Sequence, residues 1–254
     1  MPVSKMRPLS LEKNERDAIE KLRKIHLFKR LTDDELKPLI PCFQESHYEK
    51  ETAMFYEQDL PSESGRKVYF VTEGCVKLVK YSTEGESTIV RLATAGEFFG
   101  VTGALTNKPI PFSALALTDT KLITVGEADF RNMFAKHPEL ALDMIVALGE
   151  VLWFNYETHN QVVKKTDARV AKIILYHLNR DGGTRVKEGI QLNLHLPHSY
   201  IASMTGIAYE ESVRIVSRLR KNQQCIQYLR GGKIIVTNLD ALNELAENGE
   251  IWGM

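Results

Sequence analysis

Residues 196–238 read LPHSYIASMTGIAYEESVRIVSRLRKNQQCIQYLRGGKIIVTN, and this stretch decides the fold. Pro197 and His198 precede Ser199, whose hydroxyl suits a helix N-cap, and Ile201, Met204 and Thr205 follow at apolar-periodic spacing up to Gly206. Gly206 supplies a sharp turn, because a residue without Cβ takes a left-handed conformation at little cost. A second run begins at once, with Ile215, Val216 and Leu219 at helical spacing and Tyr209, Glu210, Arg214 and Arg218 on other faces. Two short helices joined by a tight glycine turn form the pattern whose second helix enters the major groove of DNA. Gly231-Gly232 then separates Cys225-Ile226-Gln227-Tyr228 from Ile234-Ile235-Val236-Thr237, which predicts a β-hairpin, the wing.

Charge agrees with this reading once it is taken by region. The 254 residues sum to zero net charge. From Ala168 to Asn238, however, 11 Lys and Arg stand against 4 Asp and Glu, whereas residues 1–167 carry 22 against 25 and residues 239–254 carry 0 against 4. Positive charge thus gathers where the two short helices lie, as phosphate contact requires; a merely solvated basic surface is the plainer alternative. There is no apolar run that would span a bilayer and no signal-peptide pattern, and the three cysteines, at 42, 75 and 225, form no disulfide framework or metal-ligand set. A cytoplasmic protein is expected. No nucleophile–base set, metal cluster or phosphate-cradling glycine loop is evident, so no catalytic residue is assigned.

Upstream the pattern is strand-like from about Glu45 to Val125, with β-rich runs at Val68–Val71, Val76–Tyr81, Thr88–Leu92, Ala114–Leu117 and Leu122–Val125 between glycines. Such spacing predicts an antiparallel roll or barrel. From His137-Pro138 to about Lys165 the period becomes helical, and Ala141, Met144, Leu148, Val151, Asn155, Thr158 and Val162 form a heptad seam. The seam predicts that two copies of this helix pair through Met144, Leu148, Val151, Asn155, Thr158 and Val162. The alternative is a helix packed on its own roll, with Ile145, Leu152, Tyr156 and Val163 as a second stripe. The expected fold class is α+β, with a lead-in and helix over 1–24, a roll over 25–136, a long helix over 137–166, a winged helix-turn-helix over 167–245 and a tail over 246–254.

This order of parts resembles the Crp/Fnr family of bacterial transcription regulators. Five pieces carry the resemblance: Ile25 to Leu31, Val71 to Leu78, Gly96-Glu97-Phe98-Phe99-Gly100, His137-Pro138-Glu139-Leu140, and the helix-turn-helix with its Gly-Gly wing. The resemblance implies a cyclic-nucleotide-binding-like β-roll that senses an effector, a dimerisation helix, and a winged helix-turn-helix on double-stranded DNA. It also implies contact with RNA polymerase if the protein activates. In the family a glutamate and, four residues later, an arginine read base edges. Glu210 and Arg214 hold that relation, flanked by Tyr209 and Val213 as further base-contacting candidates. An intrahelical Glu210–Arg214 ion pair is the alternative reading. Ser199, Ser203, Arg218 and Lys221 are candidates for phosphate contact. A module acting on a protein partner is the rival function.

The resemblance also speaks to the effector. Cyclic-nucleotide-binding members carry Phe-Gly-Glu and later Arg-Ser-Ala, where this chain has Phe99-Gly100-Val101 and Phe112-Ser113-Ala114. A buried phosphate without its cation is poorly compensated, which argues against cyclic AMP. Too few cysteines lie in the sensing half for an iron–sulfur cluster. Haem stays open, with His26, His47, His137 and His159 as available ligands. Phe-Gly-Val also resembles members that sense 2-oxoglutarate, but the accompanying arginine is missing. The expected effector pocket is walled by Phe99, Gly100, Val101, Thr102, Phe112 and Ser113 and closed by Trp153, Asn155 and Tyr156; plain core is the alternative for its aromatics.

Overall fold

The computed structural model describes residues 6–9, 15–57, 66–82, 85, 87–106, 108–159 and 165–247, without the side chains of 153–159. It divides into two compact units, Met1–Glu150 and Val151–Met254. Among the described residues no helix is long and apolar enough to cross a membrane.

In the first unit, β1 (Arg7–Pro8), β2 (Phe43–Tyr48), β4 (Lys67–Glu73), β7 (Phe98–Phe99) and β9 (Thr120–Gly126) form one antiparallel sheet in the order β1-β2-β9-β4-β7. A second sheet runs β3-β8-β5-β6, from β3 (Ala53–Phe55), β5 (Cys75–Tyr81), β6 (Ser87–Thr94) and β8 (Ser113–Ala116). Strand β4 shows why the roll has two cores. Successive side chains point to opposite faces, so Val68 and Phe70 join Phe28, Phe43 and Phe130 on one side. Val71 joins Val76, Leu78, Phe99 and Leu122 on the other. Helices α1 (Glu15–Arg23), α2 (Asp33–Leu36) and α4 (Glu127–Lys136) supply the first core, and α3 (Val101–Leu105) follows β7. The roll read from short strands is therefore present, and the strand Phe43–Tyr48 extends it at the N-terminal side.

Helix α5 (Pro138–His159) corrects the predicted seam. Leu140 and Met144 are buried in the roll's own core with Ala147 packed against it, so Met144 is not available to a partner. Meanwhile Leu142, Ile145, Val146, Leu148 and Leu152 are exposed, Ile145 at 64%. The second stripe, offered as the alternative inward face, is exposed at Ile145 and Leu152, and part of the seam expected to pair with a second copy is core. The helix is apolar on nearly every side, so spacing alone could not say which stripe the roll takes. Val151 is half-buried. Asn155 and Thr158 as interface side chains, and Val162, lie outside the described residues.

In the second unit, α6 (Thr166–Asp181) leads into a four-stranded antiparallel sheet of order β10-β11-β13-β12. Its strands are β10 (Gly183–Val186), β11 (Gly189–Leu192), β12 (Ile226–Leu229) and β13 (Lys233–Val236), and α7 (His198–Thr205), α8 (Tyr209–Lys221) and α9 (Leu239–Glu247) complete the unit. The β10–β11 hairpin did not stand out in the sequence, since its two strands have only four residues each and mix polar with apolar side chains. A polar network ties α6 to α7 inside the core. Fully buried His177 holds Asp181 Oδ2 through Nδ1 at 2.7 Å and the Tyr200 hydroxyl through Nε2 at 2.7 Å. Arg180 bonds the same carboxylate at 3.0 Å. Burial pushes the Asp181 carboxyl up, but the bond from His177 and the Arg180 charge outweigh it and hold the group below its ordinary range.

Candidate nucleic-acid interface

Helix α7 starts two residues earlier than the sequence suggests. Its N-cap is Pro197, which places Ser199 inside the first turn, exposed but not capping. The helix ends at Gly206, whose φ of 63° is left-handed, and Ile207 N–H returns to the Ala202 carbonyl at 3.1 Å. That turn launches α8, whose Glu210 and Glu211 sit in the first turn and Arg218, Arg220 and Lys221 in the last, in agreement with the helix dipole. Ser212, Ile215, Val216 and Leu219 are buried. The opposite side presents Tyr209, Glu210, Val213 and Arg214, all exposed. The four predicted base-contacting residues therefore share one outward surface.

The ion pair on this surface is not the Glu210–Arg214 pair of the alternative reading. Arg214 pairs with Glu211, three residues before it, and not with Glu210. Among the described residues Glu210 has no salt-bridge partner, which leaves its carboxylate open to a donor. Arg218 departs further from expectation. Its Nη1 reaches both carboxylate oxygens of Asp167, in the first turn of α6, at 2.8 Å each. A residue expected to hold phosphate is thus engaged within the chain. Lys221 is exposed and Ser203 half-buried.

The wing is seated against the start of α7. Gly232 (φ 84°) lies so close that a Cβ would come 2.7 Å from Pro197 N, and its carbonyl accepts from Leu196 N–H at 2.7 Å. His198 joins the three parts. Its ring lies 4.3 Å from that of Tyr228 in the wing and 6.0 Å from that of Tyr209 at the start of α8, and its Nδ1 is 3.3 Å from Ser212 Oγ. Burial pushes the imidazole down, favouring the neutral ring, and pushes the Tyr228 phenol up to about 12. Sequence reading missed His198, since a lone histidine beside a proline carries no pattern.

The comparisons with known proteins fit both units. The cyclic nucleotide-binding domain is matched over residues 45–137 and the Crp-like helix-turn-helix domain over residues 168–245. The chain is 26% identical over 221 residues to a global nitrogen regulator of Synechocystis sp., covering 86% of this chain and 93% of that one. It is 24% identical over 221 residues to a cyclic AMP receptor protein of Thermus thermophilus, covering 87% and 96%. Among solved structures, FixK2 from Bradyrhizobium japonicum shares the fold with a TM-score of 0.63 at 22% identity, over 83% of this chain and 98% of that one.

The chain belongs to the Crp/Fnr family. It is a DNA-binding transcription regulator of the Crp/Fnr type, and its relatives are regulators rather than enzymes.

In this Crp/Fnr protein the aromatic walls predicted for the effector pocket pack on other aromatic residues of the roll. Phe99 stacks on Tyr69 with ring centres 5.0 Å apart, and Phe112 lies 6.2 Å from Phe55. Val101 and Ser113 are buried, Thr102 is exposed, and the Ser113 hydroxyl accepts from Glu57 N–H at 2.7 Å. Gly100 has a φ of 86°, and a Cβ there would meet the Lys67 carbonyl at 2.7 Å. Trp153, Asn155 and Tyr156 as pocket side chains lie outside the described residues. Of the candidate haem ligands, His26 and His47 are exposed on separate elements and the side chain of His159 is outside the described residues. His137 lies with Glu35 and Glu139, their ligand atoms within 4.8 Å. Glu35 there closes the capping box of α2 with Thr32, and His137 Nδ1 is 3.3 Å from Glu139.

Proposed function

We propose that this regulator works as a homodimer on a near-palindromic duplex, with α8 of each copy in a major groove. The observation that carries the reading is the outward surface of α8, where Tyr209, Glu210, Val213 and Arg214 stand together above a basic last turn. Glu210 would accept from a cytosine amino group, and Arg214 would leave Glu211 and fork onto guanine, with Tyr209 and Val213 tuning the half-site. Ser199, Ser203 and Lys221 would take phosphates. The two-fold comes from the exposed outer face of α5 at Leu142, Ile145 and Leu148. We place the protein in the cytoplasm, without catalysis of its own and in contact with RNA polymerase where it activates.

The name of one relative, a cyclic AMP receptor protein, supports control by a small molecule. Val101 and Phe112 stand where the resemblance places the glutamate and arginine of cyclic-nucleotide binders. The effector of this chain is therefore of another and more apolar class. Its action would be a population shift between dimer geometries, limited by its differential affinity for them.

The test is Arg214→Ala. Discrimination at one base pair of each half-site should fall by about 1–3 kcal/mol, measured by competition between operator variants. The lost pair with Glu211 is worth only a few tenths of a kcal/mol, about 0.2–0.5, so folding should be unchanged. An equal loss on every sequence would reduce Arg214 to a phosphate contact and remove the reading.

A further inference from the structure

Arg218 lies two turns after Glu210 and one turn after Arg214 on the helix that faces DNA, yet it is engaged by Asp167 from another element. The geometry is two contacts of 2.8 Å from one guanidinium nitrogen to both oxygens of a single carboxylate. A phosphate group offers a guanidinium the same kind of paired oxygens. Asp167 is also placed by its own helix. It is the acidic residue of the first turn of α6, where the helix dipole favours an anion, and its side chain is 18% exposed. Arg218 keeps 45% of its side chain in solvent, so an incoming phosphate can reach it.

We propose that Asp167 is an internal competitor for DNA phosphate, holding Arg218 in the free protein and limiting how strongly this domain binds DNA of any sequence. This rests on the reading that α8 faces DNA. The pair sits on the phosphate-contacting rim and reads no base, so its effect falls on general affinity. When DNA arrives, Arg218 either stays with Asp167 and adds nothing, or moves to phosphate and leaves a carboxylate beside the backbone. In both cases the net charge delivered to DNA is one less than the basic surface of the domain would supply. For a regulator the consequence is useful, because general affinity is the background against which an operator must compete.

The experiment compares the full chain with Asp167→Asn and Asp167→Ser on random-sequence duplex across a salt series. Each variant frees Arg218 and deletes one negative charge, which adds one effective phosphate contact. The binding slope against log salt should steepen by about 0.9. Affinity for random DNA should rise several-fold at low salt, and the gain should shrink about 3.5-fold between roughly 50 and 200 mM salt. Adding Arg218→Ala to Asp167→Asn should remove the gain. Unchanged or weaker binding in both variants, with thermal stability retained, would overturn the proposal and leave the pair as a strut between α6 and α8. The two readings fail separately. A wild-type chain that prefers no sequence would sink base reading by α8, while the slope comparison would still decide the role of Asp167.

Discussion

Replacing Ile145 with glutamate is expected to convert a dimer into a folded monomer and to lower operator affinity at least about a hundredfold. Ile145 is 64% exposed and lies among Leu142, Val146, Leu148 and Leu152, all open to water on the outer side of α5. A continuous apolar face of this kind marks an interaction site in a protein that is otherwise charged. If two copies of α5 pack along it, the substitution sets two carboxylates in one seam, where desolvation and repulsion both oppose pairing. A monomer engages a single half-site and loses the linkage between the two. The chain itself should barely notice, since a substitution at a solvent-facing position shifts stability by about 0.5 kcal/mol or less. Met144→Glu makes the contrast, because Met144 is only 3% exposed and packs in the roll core. That variant should fail to fold. Sedimentation of both variants checks the pair, and an Ile145→Glu chain that stays dimeric would move the interface elsewhere.

The second large effect is expected from His177→Ala, which should destabilise the DNA-binding unit by about 3 kcal/mol or more. His177 is fully buried and joins Asp181 to the hydroxyl of Tyr200, itself 1% exposed. Removing the ring opens a cavity and takes a 2.7 Å hydrogen-bond partner from both the Asp181 carboxylate and the buried Tyr200 hydroxyl. Because Tyr200 belongs to α7, the loosening reaches the first helix of the DNA-reading pair. The same network has an acid signature. Asp181 is held below its ordinary value in the folded protein, so its contribution is complete above the unfolded value, near 3.8, and is lost as pH falls through the lower folded one. Asp181→Asn should therefore flatten the acid limb of the stability curve. Denaturant melts from neutral pH down to about 2.5 measure both effects, and identical acid limbs would contradict the assignment.

What the sequence made legible follows its local chemistry. Gly206 and the Gly231-Gly232 pair need backbone conformations that only certain residues take, so the two short helices and the wing could be read from a few positions. The buried face of α8 obeys helical spacing without ambiguity. The rest depended on which of two equivalent choices tertiary packing made. Helix α5 offers two apolar stripes, and only the roll decides that Met144 goes inward and Ile145 outward. Arg214 had two glutamates within reach on one helix and took Glu211. Arg218 met Asp167, fifty-one residues away, a pairing with no local signature. The aromatics of the expected pocket pack on Tyr69 and Phe55, which the sequence shows only as further β-rich positions. His177 and Asp181 stand four apart on α6, a spacing that could have flagged the pair, but the partner in α7 could not be read from it.

The most direct measurement of the central claim is selection of bound duplexes from a random pool by the purified full chain at two salt concentrations. An inverted repeat whose half-sites are about one helical turn apart should be enriched, with the preference surviving the higher salt. Binding that enriches no sequence and fades uniformly as salt rises would contradict that claim.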